Sequence, residues 1–309
     1  MRQRPRGDSR GILDPAELLR RVRFRRHLPT EALRPYVEHY WLIDWDLTEP
    51  FAQRVVPHPA VNVVFRRDGD GPETAEVAGI GLELFSVTLA GTGRVSGVQF
   101  RPGGFRPFWR RSVAELTGRR WPLAAPADRW PPPPTPTADE VAAASAGKVA
   151  PTSTGRVAPA STGEVAAASG GAGPWAAGCC DGTDAERCRA LDRLLTSWAP
   201  EPDPVTDEVI GLVEAIRNDR SVLRVDDFAH RHGLSVRRLQ RLFLTHVGVG
   251  PKWVIRRYRL QEAIEQAAGD PPDWATLAAD LGYSDQAHLV REFSAVAGVS
   301  PAAYARSLV

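Results

Sequence analysis

Two stretches of this sequence carry guanidinium, amide and imidazole side chains at spacings that suit the reading of a polyanion. Between Arg231 and Arg259 stand eight basic residues and no acidic one: Arg231, Arg237, Arg238, Arg241, Lys252, Arg256, Arg257 and Arg259. A solvated surface usually mixes both signs, so this run is a local electrostatic footprint inside a chain whose formal net charge is only +2. A helix starting after Ser235, at about 100° per residue, puts Val236, Leu239, Leu242 and Phe243 on one face as core. Arg237 and Arg241 point the opposite way, with Gln240 and Arg238 on the flanks. Arginine can grip a guanine edge with two hydrogen bonds, and glutamine can do the same for adenine. Some fifty residues later a second helix places Leu289, Phe293 and Val296 inward. Arg291 and Ala287 then face outward, and Gln286 and His288 flank them. Arg237, Arg238, Gln240, Arg241, Lys252, Arg256, Arg257, Gln286, His288 and Arg291 are therefore the candidate DNA-binding residues.

The rest of the chain is poor in chemistry. It has no Gly-x-Ser-x-Gly, no phosphate-binding glycine loop and no paired-histidine metal motif. His39 and His58 lie near acids but without ligand spacing. Cys179, Cys180 and Cys188 are too few and too clustered for a disulfide framework, and they lack the setting of an activated thiolate. No catalytic residue, cofactor or metal is expected. Two rival classes stay open: a β-barrel enzyme acting on a small molecule with an appended DNA-binding domain, and a DNA-repair or adaptor protein that borrows such a domain.

Candidate readers must be positioned by elements, and the sequence spells those elements twice. Phe228-Ala229 precedes Gly233 as Leu277-Ala278 precedes Gly282. Gly233-Leu-Ser235 matches Gly282-Tyr-Ser284, and Leu239, Phe243, Gly248 and Pro251 match Leu289, Phe293, Gly298 and Pro301. The offset is 49 up to the serine and 50 beyond it. Each unit reads as helix, glycine turn, serine cap, helix, glycine stop and proline start. Two helices joined by a short glycine turn make a helix-turn-helix, whose second helix enters the major groove. A helix from Pro251 to about Gln266 joins the units.

Upstream the text differs. From about Leu19 to Leu123, runs such as "HYWLIDWDL", "VNVVF" and "FSVTLAG" alternate with Gly, Pro and Asp clusters, which predicts many short strands in a barrel or sandwich. "SVAELTGR" predicts a short helix with Ser112 and Glu115 as a capping box. After "PPPP" at 131–134 comes an octapeptide repeat through residue 171, too short-period and too small in its side chains for a packed core, and so read as a tether. The expected fold is α+β and multidomain. It comprises a disordered tail (1–12), a β-rich sensor or dimerisation domain (13–125), a disordered linker (126–183) and an all-α segment (184–309) with helix-turn-helix units at about 222–248 and 272–298. The basic N-terminus has no apolar run behind it, and no stretch approaches the roughly 20 apolar residues of a membrane span. The expected setting is the cytoplasm, at the nucleoid.

The last hundred residues resemble the DNA-binding domain of the AraC/XylS family of bacterial transcription regulators. The resemblance rests on both units and most of all on "LGYSDQAHLVREFSAVAGVSPAAY". It implies one recognition helix from each unit in successive major-groove segments. The family's base-reading positions fall on Arg237, Gln240 and Arg241, then on Gln286, His288 and Arg291. Two departures, Ser294 after Phe293 and Ala305 before Arg306, weaken phosphate contacts by the second unit. "RPYVEHYW", "VPHPAVNVVF" and "GVQFRPGGFRPFWRRSVAELTGR" resemble the companion domain of some members. The implied partner is double-stranded DNA. RNA polymerase, a small-molecule effector at the N-terminal domain and a second copy of the chain are further candidates.

Overall fold

The computed structural model describes residues 11–123, 178–267 and 272–307. The strand-rich text does form a sheet. Its six strands are β1 (Val22–His27), β2 (Val37–Val55), β3 (Asn62–Asp68), β4 (Thr74–Ala78), β5 (Phe85–Phe100) and β6 (Arg120–Pro122). They pair antiparallel in the order β1-β2-β5-β3-β4-β6. β1 and β6 stay at opposite edges, so the sheet is open and does not close into a barrel. A short helix, α1 (Pro15–Arg21), leads into β1. Its start is capped by Asp14, whose side chain accepts from the Glu17 amide. At the start of β2, Val37 pairs with Phe100 and His39 with Gln99, which leaves Glu38 as the extra residue of a bulge. The bulge lets Glu38 accept from Gln99 of β5 and from Arg217 of the helical segment, at 3.0 and 2.9 Å.

After β5 come α2 (Arg106–Trp109) and a 3-10 turn (Val113–Leu116). That turn replaces the expected helix at Ser112. Ser112 caps no amide; its hydroxyl instead donates to the Leu244 carbonyl at 3.4 Å, and Glu115 pairs with Arg111. The expected tail and linker fall mostly outside the described residues, and the octapeptide repeats wholly so. Their inner ends correct the sequence reading. Ile12 bridges to Val55, and Leu13 is buried. Residues 178–180 are packed on the sheet. Cys179 and Cys180 are buried, the Ser96 hydroxyl donates to the Cys179 carbonyl, and the Cys180 amide donates to Glu73 at 2.7 Å. This short segment is held by the neighbouring sheet rather than by any periodicity of its own.

The helical segment begins with α3 (Asp184–Ser197), whose Thr183–Glu186 capping box satisfies two end amides. Its Arg187 is buried against the sheet and donates to Asp44 and to the Ser96 hydroxyl, while Asp192 accepts from the Tyr40 hydroxyl at 2.7 Å. α4 (Pro204–Asn218) follows, capped by Asp203. One cluster of buried side chains runs from Val63, Phe65 and Phe100 in the sheet, through Leu194 and Val213, to Phe243 and Val254. The two domains therefore share a core.

Candidate nucleic-acid interface

The first helix-turn-helix unit consists of α5 (Val225–Arg231) and α6 (Val236–Leu242). Gly233, at φ +65°, makes the turn in a backbone region closed to most side chains. Ser235 caps α6 by accepting from the Arg238 amide at 3.2 Å. Leu239, Leu242 and Phe243 are buried, as their spacing predicts. A π turn (Phe243–Val247) then leads to Gly248, at φ +93°. The second unit has α8 (Trp274–Asp280) and α9 (Gln286–Ala297), which ends at Gly298 in the left-handed conformation. Its cap is not Ser284. Asp285 accepts from the His288 amide at 2.7 Å, because the one-residue longer turn moves the helix start past the serine. Between the units runs α7 (Pro251–Ala267), and α10 (Pro301–Ser307) closes the domain.

Arg237, Arg238, Gln240 and Arg241 are exposed on α6, and Gln286 and Arg291 on α9. His288 is half-buried, between the Ser284 hydroxyl at 3.2 Å and Arg256 at 3.4 Å. Lys252 is exposed at the start of α7. Three placements depart from the sequence reading. Helical spacing puts Val236 in the core, but it is 37% exposed, because the buried stripe of α6 runs only through Leu239, Leu242 and Phe243. Arg257, expected to reach a phosphate, is only 6% exposed. It donates to the Leu82 carbonyl of the N-terminal domain at 3.3 Å and lies over the Trp253 ring, and burial lowers its pKa to about 10. Arg259 is buried too, donating to the carbonyls of Ile216 and Asp219.

The remaining basic residues are not an unbroken positive surface. Arg231 pairs with Asp219 at 3.0 Å, Arg238 with Glu208 at 3.4 Å, and Arg256 with Glu292 of α9. These acids lie outside the run that sequence order marked as free of negative charge, so only the fold brings them in. Among the described residues, Arg237, Arg241 and Lys252 have no ion-pair partner. The exposed cations thus concentrate at α6 and the first turn of α7. The arrangement can offer two capped helices, each with an outward arginine, and a local positive field beside the first.

The N-terminal domain meets both units. The Thr117 hydroxyl donates to the Gly248 carbonyl at 2.7 Å, behind the first unit. The Tyr304 hydroxyl donates to the Leu13 carbonyl at 2.7 Å, and Leu13 and Val56 join the buried cluster of the second unit around Leu289 and Phe293. Among the described residues no group of three or more His, Cys, Asp or Glu side chains could hold a metal ion. Burial raises all three thiols, Cys180 to about 12 and Cys188 to about 11, so none is poised as a thiolate.

Residues 228–307 match the family described as a helix-turn-helix domain, and residues 25–122 match a domain of unknown function, DUF6597. No curated protein matches the chain. Among solved structures, it is similar to the C-terminal domain of AraT, a response regulator from Geobacillus stearothermophilus. The identity there is 23%, over 34% of this chain and 86% of that one, with a TM-score of 0.30. It is also similar to ToxT from Vibrio cholerae, at 10% identity over 87% of this chain and 98% of that one, with a TM-score of 0.39. ToxT with a bound unsaturated fatty acid aligns at 10% identity over 86% and 94%, with a TM-score of 0.38. Residues 228–307 therefore carry a helix-turn-helix domain, here in one chain with a DUF6597 domain.

Proposed function

We propose that this chain is a sequence-specific transcriptional regulator that places α6 and α9 in two successive major-groove segments of duplex DNA. The observation that carries the reading is the repetition of one device. Each unit has a capped helix with a buried Leu-Phe stripe behind it and an arginine, Arg241 or Arg291, on the open side. A dimer normally supplies two such helices; here α7 joins them in one chain. The bases are to be read by Arg237, Gln240 and Arg241 in one half-site and by Gln286, His288 and Arg291 in the other. Because the copies differ, the half-sites need not be alike. Lys252 and, once freed from Glu292, Arg256 are the phosphate contacts. Arg257 is not among them in this arrangement.

The N-terminal domain is proposed to set the relation between the units, since it touches the end of the first and the core of the second. A small-molecule effector or a second copy of the chain would act through those contacts. Among the described residues no helix is long and apolar enough to cross a membrane, and the proposed place of action is the bacterial nucleoid. The raised thiols give no support to the rival reading as a repair or group-transfer protein. The test is to sequence the genomic fragments that the purified full chain retains. Two short blocks about one helical turn (~10 base pairs) apart are expected. Retention without any common sequence would reduce the chain to a non-specific DNA binder.

A further inference from the structure

The open side of the first reader is edged by an apolar residue. Val236 opens α6 and is 37% exposed, directly beside Arg237 and one turn before Gln240. A lone exposed valine on a protein surface is ordinary. This one stands where a recognition helix makes its base contacts, in its N-terminal turn. The N-terminal domain does not cover it. That domain reaches the opposite end of the helix, where Ser112 meets the Leu244 carbonyl and Thr117 meets Gly248. The β-branched side chain therefore leaves more than a third of its surface open, at a position where branching is mildly unfavourable to a helix.

The second reader has a matching feature. Aligned on Leu239 and Leu289, Val236 corresponds to Gln286, and Arg237 corresponds to Ala287. Ala287 is exposed, in the first turn of α9, on the same open side as Arg291. Each helix thus presents one polar and one apolar residue at its first two positions, in opposite order. The chemistry that rewards an apolar group at a groove floor is the 5-methyl of thymine, the one non-polar projection a base pair makes into the major groove.

Resting on the two-reader function proposed above, we infer that Val236 and Ala287 are further specificity residues, each packing on a thymine methyl group, one in each half-site. The arginines and amides then read purine edges, and these two side chains separate T·A from C·G pairs that lie alongside.

The test removes only the methyl. From the sequence blocks retained by the wild-type chain, duplexes are made with uracil in place of thymine, one position at a time, which leaves base pairing intact. Uracil at one position in the first block and one in the second should each weaken wild-type binding about three- to tenfold, the scale of one buried methyl group. Val236→Ala should bind thymine and uracil alike in the first block and keep its uracil penalty in the second. Val236→Thr, which keeps one γ-methyl, should restore part of the first penalty. Ala287→Gly should lose the penalty in the second block alone, with a thermal melt showing that α9 still folds. If uracil is neutral throughout, or its penalty survives in the variants, or no thymine occupies such positions, the inference is overturned while sequence-specific binding stands. If no common sequence is retained at all, the two-reader function itself fails, and this inference with it.

Discussion

Arg256 and Arg257 are neighbours in sequence and both positive, yet the fold gives them opposite situations. Arg256 lies at the surface against Glu292 and next to His288, where a phosphate oxygen can replace the carboxylate. Arg257 is sealed under the N-terminal domain. Arg256→Ala should reduce the slope of log affinity against log salt by about 1, as expected for one lost phosphate contact. Arg257→Met should leave the slope unchanged and cost little folding stability. It exchanges a desolvated cation for an apolar side chain of similar length. Binding titrations at several salt concentrations separate the two. At this scale the sequence was informative wherever one helix decided the outcome. Helical spacing alone placed Arg237, Arg241 and Arg291 outward, and Leu239, Phe243, Leu289 and Phe293 inward. It failed where a distant segment intervened. Nothing near Arg257 announces Leu82, and nothing near Arg238 announces Glu208. Helical spacing misplaces Val236 because a wheel shows direction and not whether anything covers that side.

Among the elements, the two units are the same design with different ends. The serine caps α6, but in the second unit the extra residue hands the cap to Asp285. Asp285→Ala should therefore destabilise the second unit by about 1 kcal/mol, and Ser284→Ala by much less, in chemical denaturation. Phe243→Ala or Phe293→Ala should each cost about 3–5 kcal/mol by opening a cavity, and abolish binding to all sequences alike. Gly248 is doubly constrained. Its φ of +93° excludes most side chains, and an added Cβ would come within 2.9 Å of the Thr117 hydroxyl and 2.8 Å of Ile80. The duplication made most of this legible, since glycine, proline and apolar spacing are local signals. A one-residue shift of a cap is a matter of backbone geometry, which composition does not record. Likewise the strand-rich text was legible as a sheet, although β2 and β5, at 19 and 16 residues, are far longer than the short strands expected. Whether the sheet closes depends on which strands end as edges, and no local pattern fixes that.

For the whole molecule, the shared core makes the DNA-binding units and the sheet a coupled system. Glu38 and His39 sit at this junction. Burial alone would raise the Glu38 carboxyl, but His58 and Arg217 hold it down at about 2. Burial, helped by Arg26, pushes His39 from 6.5 down to about 4. Both folded values lie below the unfolded ones, so both contributions to stability are present at high pH and lost on acidification. The His39 part is complete above pH 6.5 and disappears between 6.5 and 4; the Glu38 part disappears between 4.5 and 2. His39→Gln should therefore flatten the fall in melting temperature between pH 6.5 and 4 while leaving the more acid loss in place. The junction was invisible in the sequence, because residues 38–39 and 217 are far apart in the chain and only the bulge in β2 turns Glu38 toward α4. The central claim concerns α6 and α9, which are proposed to read separate segments of one DNA site. It is tested most directly by comparing selected-sequence profiles of the wild-type chain, Arg241→Ala and Arg291→Ala. Each substitution should cost about 1–3 kcal/mol and erase base preference in one block only, the two erased blocks lying about 10 base pairs apart. Equal weakening on every sequence by both variants would make the two arginines phosphate contacts and contradict their assignment as readers.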